Sequence, residues 1–439
     1  MGKTIVAPAT GRLGVLCIGN GGVASTLFAA IEAIKQGVDF PLLGSLTQVG
    51  HIRLGKRDEN RFPLIKDFLP LASLNDIVFG AWDIYSDNAL VSAQKAGVLS
   101  KDLLQSVDEQ LTSIVPMAAA FDQDYVRELT DGDNIKVEKN KMVLADQVQA
   151  DILEFKTVHN CDRLIMLCVS STESFVEIMP VHETLKAFEN GLYNDDPNIS
   201  PSQIYAYAAL QSGVSVINGT PNCIDIPAIV ELANNKGLVV CGKDFKTGQT
   251  LVKTVLADMF RSRCLQVENW YSTNILGNRD GAALRDPGSF HSKEKTKGDV
   301  LASILKPGDH PEIYGGKVVG HQVHIHFVEA KGDQKEGWDN ILFTGFGGAK
   351  MSMKIDIQCQ DSPLAAALCV DLILLMDLAQ RAGKKGVQEF LSYYFKAPQT
   401  HPGIDAVHAL SEQEFKLLNW MRELMGEEVI TSLGLDYVE

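Results

Sequence analysis

The order of a short apolar run, a glycine-rich turn and a helix-forming stretch near residue 20 constrains the fold of this chain most. The run 13–18 is long enough for a buried parallel strand, and the apolar spacing in 25–35 is typical of a helix. Between them, Gly19, Gly21 and Ala24 fit the pattern G-x-G-x-x-G/A, whose glycines let a pyrophosphate approach the first turn of the helix. This context predicts a dinucleotide site with NAD as its cofactor. The turn residues assigned to it are Gly19, Asn20, Gly21, Gly22, Val23 and Ala24.

Other polar residues are candidates for the same cofactor. Such a site usually has an acidic residue that closes the second strand and binds ribose hydroxyls, but the run 42–46 is followed by Thr47. Asp83, within the run 78–84, is a later candidate, and the alternative for it is a helix N-cap. Three hydroxyl residues follow the strand-like run 164–169, where open α/β sheets bind ligands, although such residues also cap helices. They are Ser170, Ser171 and Thr172.

Strand-like and helix-like runs alternate over the first half of the chain, which favours a mostly parallel sheet and an α/β fold. The further predicted strands are 164–169, 214–217 and 238–241, and the helices are 102–129 (with a break near 116), 204–211 and 226–236. After about Lys243 the pattern changes, and 266–271 and 317–328 are predicted as strands. The alternation in 322–327 is typical of an antiparallel strand with one covered face. The apolar stretch 364–378 predicts a helix.

The stretch 242–250 has a composition that suits an anion. It combines two glycines, two lysines, two threonines and a glutamine, so backbone N–H groups and side chains can surround one oxygen cluster. It is not a Walker A loop, because the spacing after Gly242 is one residue too long and no lysine follows Gly248. We therefore expect a small phosphorylated metabolite rather than hydrolysis of a nucleoside triphosphate. The alternative is a polar turn between a strand and a helix.

Length, charge and cysteines narrow the class of protein. The chain has 439 residues, enough for two or three domains, and a formal net charge of −15, which argues against nucleic acid or an anionic membrane as a partner. Its eight cysteines are scattered without a CxxC pair, so we expect reduced thiols in a cytoplasmic protein. No signal peptide is evident and no apolar run looks long enough to span a bilayer, so a soluble protein is expected.

The region 244–396 concentrates side chains suited to a polyol phosphate. Asn274, Asn278 and Asp280 could hold sugar hydroxyls or a nicotinamide, and the alternative is an Asx-rich turn. The lysines of 293–297 alternate along the chain, which fits either an anion or a solvated charge run. Lys396 lies among aromatic residues, where desolvation would favour a base near neutral pH, although snorkelling to the surface is the alternative.

Three histidines invite a metal interpretation, which the spacing does not support. In a strand, His324 and His326 share one face and His321 points to the other. Two ligands without a nearby carboxylate or cysteine do not make a metal site, so no metal is predicted.

Several ordered segments, between the glycine turn and about residue 398, closely resemble the inositol-3-phosphate synthase (myo-inositol-1-phosphate synthase) family. The matching segments are 195–202, 204–209, 217–222, 244–250, 276–281, 292–294, 332–335, 360–366 and 396–398. The resemblance implies an NAD-dependent isomerase that converts D-glucose 6-phosphate to 1D-myo-inositol 3-phosphate. In such an enzyme C5 is oxidised, the ketone is enolised, C6 attacks C1, and bound NADH returns the hydride.

The resemblance also implies an organisation and a set of site residues. It implies an NAD-binding Rossmann-like domain (1–242), an inserted α+β catalytic and tetramerisation domain (243–362), a segment that returns to the first domain (363–439), and a cytosolic homotetramer. Lys293 and Lys396 match lysines of the redox and aldol steps, and Lys297 and Lys335 match catalytic lysines that hold phosphate and stabilise developing charge. The phosphate loop corresponds to Thr247, Gly248, Gln249 and Thr250. Polar positions that orient substrate, nicotinamide and lysines correspond to Asp244, Asn274, Asn278, Asp280 and Asp361.

Two segments depart from the family pattern. The usual Thr-Ala-Asn-Thr-Glu-Arg is replaced by 169–174, which loses an Asn and an Arg, and Arg279 replaces a second Asn. Two alternatives therefore stay open: a homologue that cyclises another sugar phosphate, and a non-catalytic sensor of NAD or a sugar phosphate. Lysines at all four catalytic-type positions favour an enzyme over the sensor.

Overall fold

A computed structural model describes residues 6–278, 281, 286, 288 and 300–431 of the chain. The strands in this part are β1 Arg12–Ile18, β2 Ile77–Asp83, β3 Met117–Ala118, β4 Cys161–Cys168, β5 Ser215–Asn218, β6 Val239–Cys241, β7 Gln266–Leu276, β8 Gly320–Phe327, β9 Gln334–Thr344, β10 Lys350–Gln360 and β11 Gly386–Val387. The α-helices are α1 Gly22–Lys35, α2 Leu46–Val49, α3 Ile65–Phe68, α4 Ala89–Ala96, α5 Lys101–Ser106, α6 Asp108–Ser113, α7 Lys141–Val158, α8 Leu185–Tyr193, α9 Pro201–Gln211, α10 Pro227–Lys236, α11 Gly248–Ser262, α12 Pro311–Tyr314, α13 Asp361–Arg381 and α14 Leu410–Leu424. Residues 300–305 are also helical.

The first sheet is parallel throughout, with the order β11-β6-β5-β4-β1-β2-β3. Its central part has the strand order of a doubly wound dinucleotide-binding fold, with the switch point between β1 and β4. The predicted α/β fold with a Rossmann-like sheet is confirmed. The carboxyl ends of β1, β2, β4, β5 and β6 lie at one edge, so the loops that follow them can form one site.

Side chains of the central strands enter two cores, one on each face of the first sheet. Along β1, Val15 and Cys17 join a core with α1 and α13, whereas Leu16 and Ile18 join a core with α7 and α9. Strands buried on both faces need apolar residues at every position rather than at alternate ones. This explains the continuous apolar runs that make the strands visible in the sequence.

Helix α13 corrects the expectation that no apolar run could span a bilayer. Its 21 residues are long and apolar enough by composition, but 78% of its most apolar window is buried inside the protein. It packs against α1 and against β4 and β5. We infer that α13 is the central helix of the first core, which is why it is apolar nearly all round.

The second sheet has the order β10-β9-β7-β8, and its inner face packs on α11 and residues 300–305. Strand β9 is antiparallel to β7 and β10, but β8 runs parallel to β7. The prediction of an antiparallel strand over 322–327 is therefore wrong, because a long connection rather than a hairpin joins β7 to β8. Strands β9 and β10 were not predicted.

Two other predictions from the sequence need correction, and one further strand was missed. The helix predicted over 102–129 ends at Ser113, and 117–118 form β3 instead. The run 42–46 is not a strand, so β2 is the second strand of the sheet. The short strand β11 pairs with β6 and was missed, because two residues between turns carry no periodicity. The boundaries proposed at 242 and 362 stay a prediction.

A buried carboxylate ties α13 to the start of α2. Asp371 accepts hydrogen bonds from the Ser45 hydroxyl (2.6 Å), the Thr47 hydroxyl (2.6 Å) and the backbone N–H groups of Leu46 (2.7 Å) and Thr47 (2.8 Å). Each donor would lose its acceptor if the carboxylate were removed.

We expect Asp371→Ala to lower the free energy of unfolding by about 3 kcal/mol, because buried donors would be left without partners. Denaturant unfolding followed by circular dichroism measures the change. Asp309→Ala, at an exposed position, serves as the control and should change stability by about 0.5 kcal/mol or less. Equal effects of the two variants would contradict a stabilising role for Asp371.

Candidate active site

The glycine turn after β1 approaches the end of β4 too closely for a side chain. Gly19 has φ +99°, and a Cβ there would lie 3.0 Å from Cα of Ser170. The Gly19 N–H donates to the Trp82 carbonyl (2.8 Å), which fixes the turn against β2. Helix α1 then begins at Gly22 without a side-chain cap, so the positive end of its dipole faces the turn.

A cavity of about 360 Å³ opens at this edge of the sheet. Its walls come from the glycine turn, the ends of β2 and β4, the start of α9, and the segments 277–278 and 332–333. Most of the residues predicted to bind the cofactor line it: Gly19, Gly21, Gly22, Val23, Asp83, Ser170, Ser171 and Asn278. Ala24 and Thr172 are buried behind these walls, and Ala24 belongs to the core under α1.

Asp83 lies at the carboxyl end of β2 and is not a helix N-cap, since Asn88 caps the following helix. Its Oδ2 accepts from the Asn20 N–H (2.6 Å) and its Oδ1 from the Tyr85 N–H (3.0 Å). Asn20 is itself buried, its Nδ2 donates to the Asp87 carbonyl (2.9 Å), and its Oδ1 has no hydrogen-bond partner within the described residues.

The residues around the turn fit a dinucleotide. A turn that a Cβ would fill, a helix start without a side-chain cap, and a carboxylate at the second strand match the needs of a pyrophosphate and a ribose.

The wall after β4 contains a carboxylate, Glu173, whose role was not predicted. Glu173 is buried and accepts from the Ser202 N–H (2.8 Å) and hydroxyl (2.6 Å) at the start of α9. Burial raises the pKa of Glu173. Its own N–H donates to Asn222 (2.9 Å), and the Asn222 amide lies 3.4 Å from the Ser170 hydroxyl. These bonds hold the Ser170–Thr172 loop in place.

The loop 242–247 pairs with the segment 394–399 near the C-terminus. Lys396 and Asp244 form an ion pair (Nζ to Oδ1, 2.8 Å) in which both side chains are at most 4% exposed. Backbone hydrogen bonds join the same residues, and Phe245 stacks on Phe395 with ring centroids 6.1 Å apart. The alternative considered for Lys396, snorkelling to the surface, is therefore excluded, since its amine is buried against a carboxylate.

The start of α11 lies beside a second lysine. Thr247 precedes the helix, and its hydroxyl donates to Asp361 Oδ1 (3.2 Å), which also accepts from Lys335 Nζ (3.2 Å). No side chain caps α11, and Gly248 has φ +53°, a conformation that glycine adopts without strain. A helix start next to an ammonium group is suited to a phosphate.

Gln249 and Asn274 have protein partners that the sequence did not reveal. The Gln249 amide donates to Asp339 (3.0 Å) and to the Trp338 carbonyl (3.1 Å), and its oxygen accepts from Asn274. This network fastens α11 to the second sheet.

The other predicted site residues differ in what the structure says of them. Thr250 lies on the buried face of α11. Asp280, Lys293 and Lys297 lie outside the described residues.

Two further buried lysines were not singled out from the sequence. Lys246 donates to Gln413 of α14, and burial lowers its pKa to about 7. Lys253, one turn after Gln249, lies 2.9 Å from His321 Nε2, and burial lowers its pKa to about 8. Their position in the sequence could have identified them, because Lys246 lies within the stretch 242–250 and Lys253 lies just after it.

Strand β8 brings two of its three histidine rings together. His324 and His326 stack on the outer face of the second sheet, with ring centroids 6.5 Å apart, and His321 faces α11. Among the residues that the structure describes, no group of three His, Cys, Asp or Glu side chains is placed to hold a metal.

Fold and site together define a doubly wound α/β protein with a dinucleotide-type cavity beside a cluster of lysines and aspartates. A family model described as myo-inositol-1-phosphate synthase, and named for NAD binding, matches residues 13–422. Inositol-3-phosphate synthase 1 of Bacteroides thetaiotaomicron is 42% identical over 97% of this chain and 98% of its own. Inositol-3-phosphate synthase 1 of Oryza sativa subsp. japonica is 32% identical over 97% of this chain and 88% of its own.

A solved structure agrees with these relatives. The crystal structure of inositol-3-phosphate synthase from Caenorhabditis elegans matches with a TM-score of 0.91 at 27% identity, covering 98% of this chain and 88% of that one. The chain belongs to the myo-inositol-1-phosphate synthase family. The resemblance found in the sequence is confirmed, and with it the prediction of an enzyme.

We expect Gly19→Ala to weaken NAD binding by at least about 10-fold, because φ +99° and the 3.0 Å approach to Ser170 both oppose a Cβ. Isothermal titration with NAD measures the effect. Gly308→Ala is the matched control, since a Cβ there meets nothing within 4 Å. Unchanged NAD affinity in Gly19→Ala would show that the cofactor does not use this turn.

Proposed function

We propose that the protein converts D-glucose 6-phosphate to 1D-myo-inositol 3-phosphate in an NAD-dependent cyclisation. One observation carries the proposal: the Thr247–Asp361–Lys335 cluster adjoins the dinucleotide-type cavity, because Asp361 is followed by Ser362, which lines that cavity. A site for a phosphorylated sugar and a site for a nucleotide therefore share one helix start, that of α13. The names of the relatives support the same reaction.

NAD would be held by the glycine turn, Asp83 and the Ser170–Thr172 loop. When bound, it supplies hydride transfer, which oxidises the sugar and later reduces the cyclised ketone. The protein's contribution is orientation. Asp83 would accept hydrogen bonds from ribose hydroxyls, the start of α1 would face the pyrophosphate, and Asn278 and Asp361 would lie toward the nicotinamide.

The sugar phosphate would bind at the start of α11. Backbone N–H groups of Gly248, Gln249 and Thr250 supply neutral donors, and Lys335 supplies positive charge. The Thr247 hydroxyl would join them by turning its proton from Asp361 to the phosphate. Asp361 keeps Lys335 in place through its 3.2 Å contact. A protein of net charge −15 needs such a local cation to bind an anionic substrate.

Lys396 would act at the reacting carbons. Its ammonium group is buried and held by Asp244, so it can donate a hydrogen bond to an oxygen that gains negative charge, at C5 during oxidation or on the enolate. Asp244 balances this charge in the resting protein. Lys293, Lys297 and Asp280 stay part of the proposal by family resemblance, with Lys297 as a further phosphate ligand and Asn274 as an orienting residue.

A cytoplasmic homotetramer is the assembly that we propose. The outer face of the second sheet supports it, because large side chains on that face are exposed: Tyr271 is 38%, Trp338 46% and Leu342 42% accessible. A second copy of the chain would cover them. No role for a nucleic acid or a membrane is proposed.

Purified protein with NAD+ and glucose 6-phosphate, and no added reductant, should form an inositol phosphate detectable by ³¹P NMR without net NADH. This outcome follows from an internal redox cycle. Untouched substrate with NAD still bound would favour another sugar phosphate or a sensor, and would overturn the proposed reaction.

We expect Lys396→Met to lower kcat by at least about 100-fold, because the transition state would lose a preorganised cation. A companion variant, Lys396→Met with Asp244→Asn, removes the unpaired buried carboxylate that the single change leaves. Lys136→Met is the matched control, since Lys136 forms a similar 2.9 Å pair with Asp151, outside the proposed catalytic groups. A kcat of the double variant close to that of the control would exclude Lys396 from catalysis.

A further inference from the structure

One aspartate, Asp333, lies between the glycine turn and the Lys335–Asp361 pair and has no role in the reaction proposed above. Asp333 follows the short turn Glu329–Lys331 and directly precedes β9, which begins at Gln334. Its side chain lines the cavity. Oδ2 accepts from the Ser362 N–H (3.0 Å) and Oδ1 from the Ser362 hydroxyl (2.5 Å), so Asp333 caps the first turn of α13 from a separate segment.

Ser362, which donates both hydrogen bonds to Asp333, lies against the start of α1. A Cβ on Gly22 would lie 2.6 Å from the Ser362 hydroxyl oxygen, so this hydroxyl packs directly on the first residue of α1. The hydroxyl has one proton, which it donates to Asp333. Its oxygen is therefore held at a fixed place beside the helix end that suits a pyrophosphate.

Asp333 also fixes the residue that holds Lys335. Its backbone carbonyl accepts from the Asp361 N–H (3.2 Å), and Asp361 accepts from Lys335 and Thr247 through its side chain. The pairing of Gln334 with Gln360, the residues that start β9 and end β10, places Asp333 next to Asp361. One residue is thus bonded to both neighbours at the start of α13, one facing the cofactor turn and one facing the lysine.

We propose that Asp333 is a positioning residue that sets the cofactor turn and the Lys335–Asp361 pair in register with each other. It acts through Ser362 on the start of α1 and through Asp361 on Lys335. The proposal rests on the proposed function for the role of Lys335 in binding the sugar phosphate, but its effect on NAD binding can be measured without turnover. A charged cap is suited to this task, because a carboxylate offers two acceptor oxygens for two donors of one residue.

Three variants separate the two arms. Asp333→Ala should weaken NAD binding by about 10-fold or more and lower kcat at saturating NAD, since both arms lose an anchor. Ser362→Ala should weaken NAD binding and lower kcat at saturating NAD less than Asp333→Ala does, because the Asp333 carboxylate still accepts from the backbone N–H of residue 362. Asp333→Asn keeps one acceptor oxygen and should restore part of both losses.

NAD affinity is measured by titration calorimetry, and kcat and KM for glucose 6-phosphate by inositol phosphate formation. Ser411→Ala is the matched control, because it removes a serine–aspartate hydrogen bond of 2.8 Å to Asp258, neither of which lines the cavity. Wild-type affinity for NAD in both Asp333→Ala and Ser362→Ala would overturn the proposal. So would a lower melting temperature with unchanged affinity and kcat, which would assign Asp333 a structural role alone.

The controls also keep the two proposals apart. If the wild-type protein binds NAD but forms no inositol phosphate, the proposed reaction fails while the affinity comparison still tests Asp333. If Asp333→Ala does not fold, Ser362→Ala still carries the test through its NAD affinity.

Discussion

The parallel pairing of β1 with β2 and β4 is the constraint on which the rest of the site depends. Parallel strands have their carboxyl ends at the same edge of the sheet. The pairing of β1 with β2 and β4 therefore brings the glycine turn, Asp83 and the Ser170–Thr172 loop together at that edge. The backbone of this sheet is buried on both faces by apolar helices. The edge is therefore rigid, and polar groups are concentrated where the strands stop.

Two later parts of the chain complete the site from the opposite side. Strand β10 runs directly into α13. The first residue of α13, Asp361, accepts a hydrogen bond from Lys335, and the second, Ser362, packs on Gly22 at the start of α1. The segment 394–399 pairs with 242–247 and delivers Lys396 to Asp244. Charges that would be costly when buried alone are compensated in pairs, so Lys396 can be held out of water beside Asp244.

Local patterns in the sequence predicted those parts of the structure that local chemistry determines. The Gly19 turn needed glycine for its φ angle, and the runs around β1 and β4 were continuous because both faces are buried. Pairing partners were not predictable in this way: the direction of β8 depends on a long connection, and the amide of Gln249 is taken by Asp339 across the second sheet. Asp333 was visible within a matched segment, but its link to Ser362 exists only after folding.

The pairing of 242–247 with 394–399 also has a consequence for synthesis of the protein on the ribosome. Strand β11, which pairs with β6, is made late, and so is Lys396, which pairs with Asp244. The edge of the sheet at β6 therefore stays open while residues 242–385 are made. The complete site can form only after residue 396 has been made.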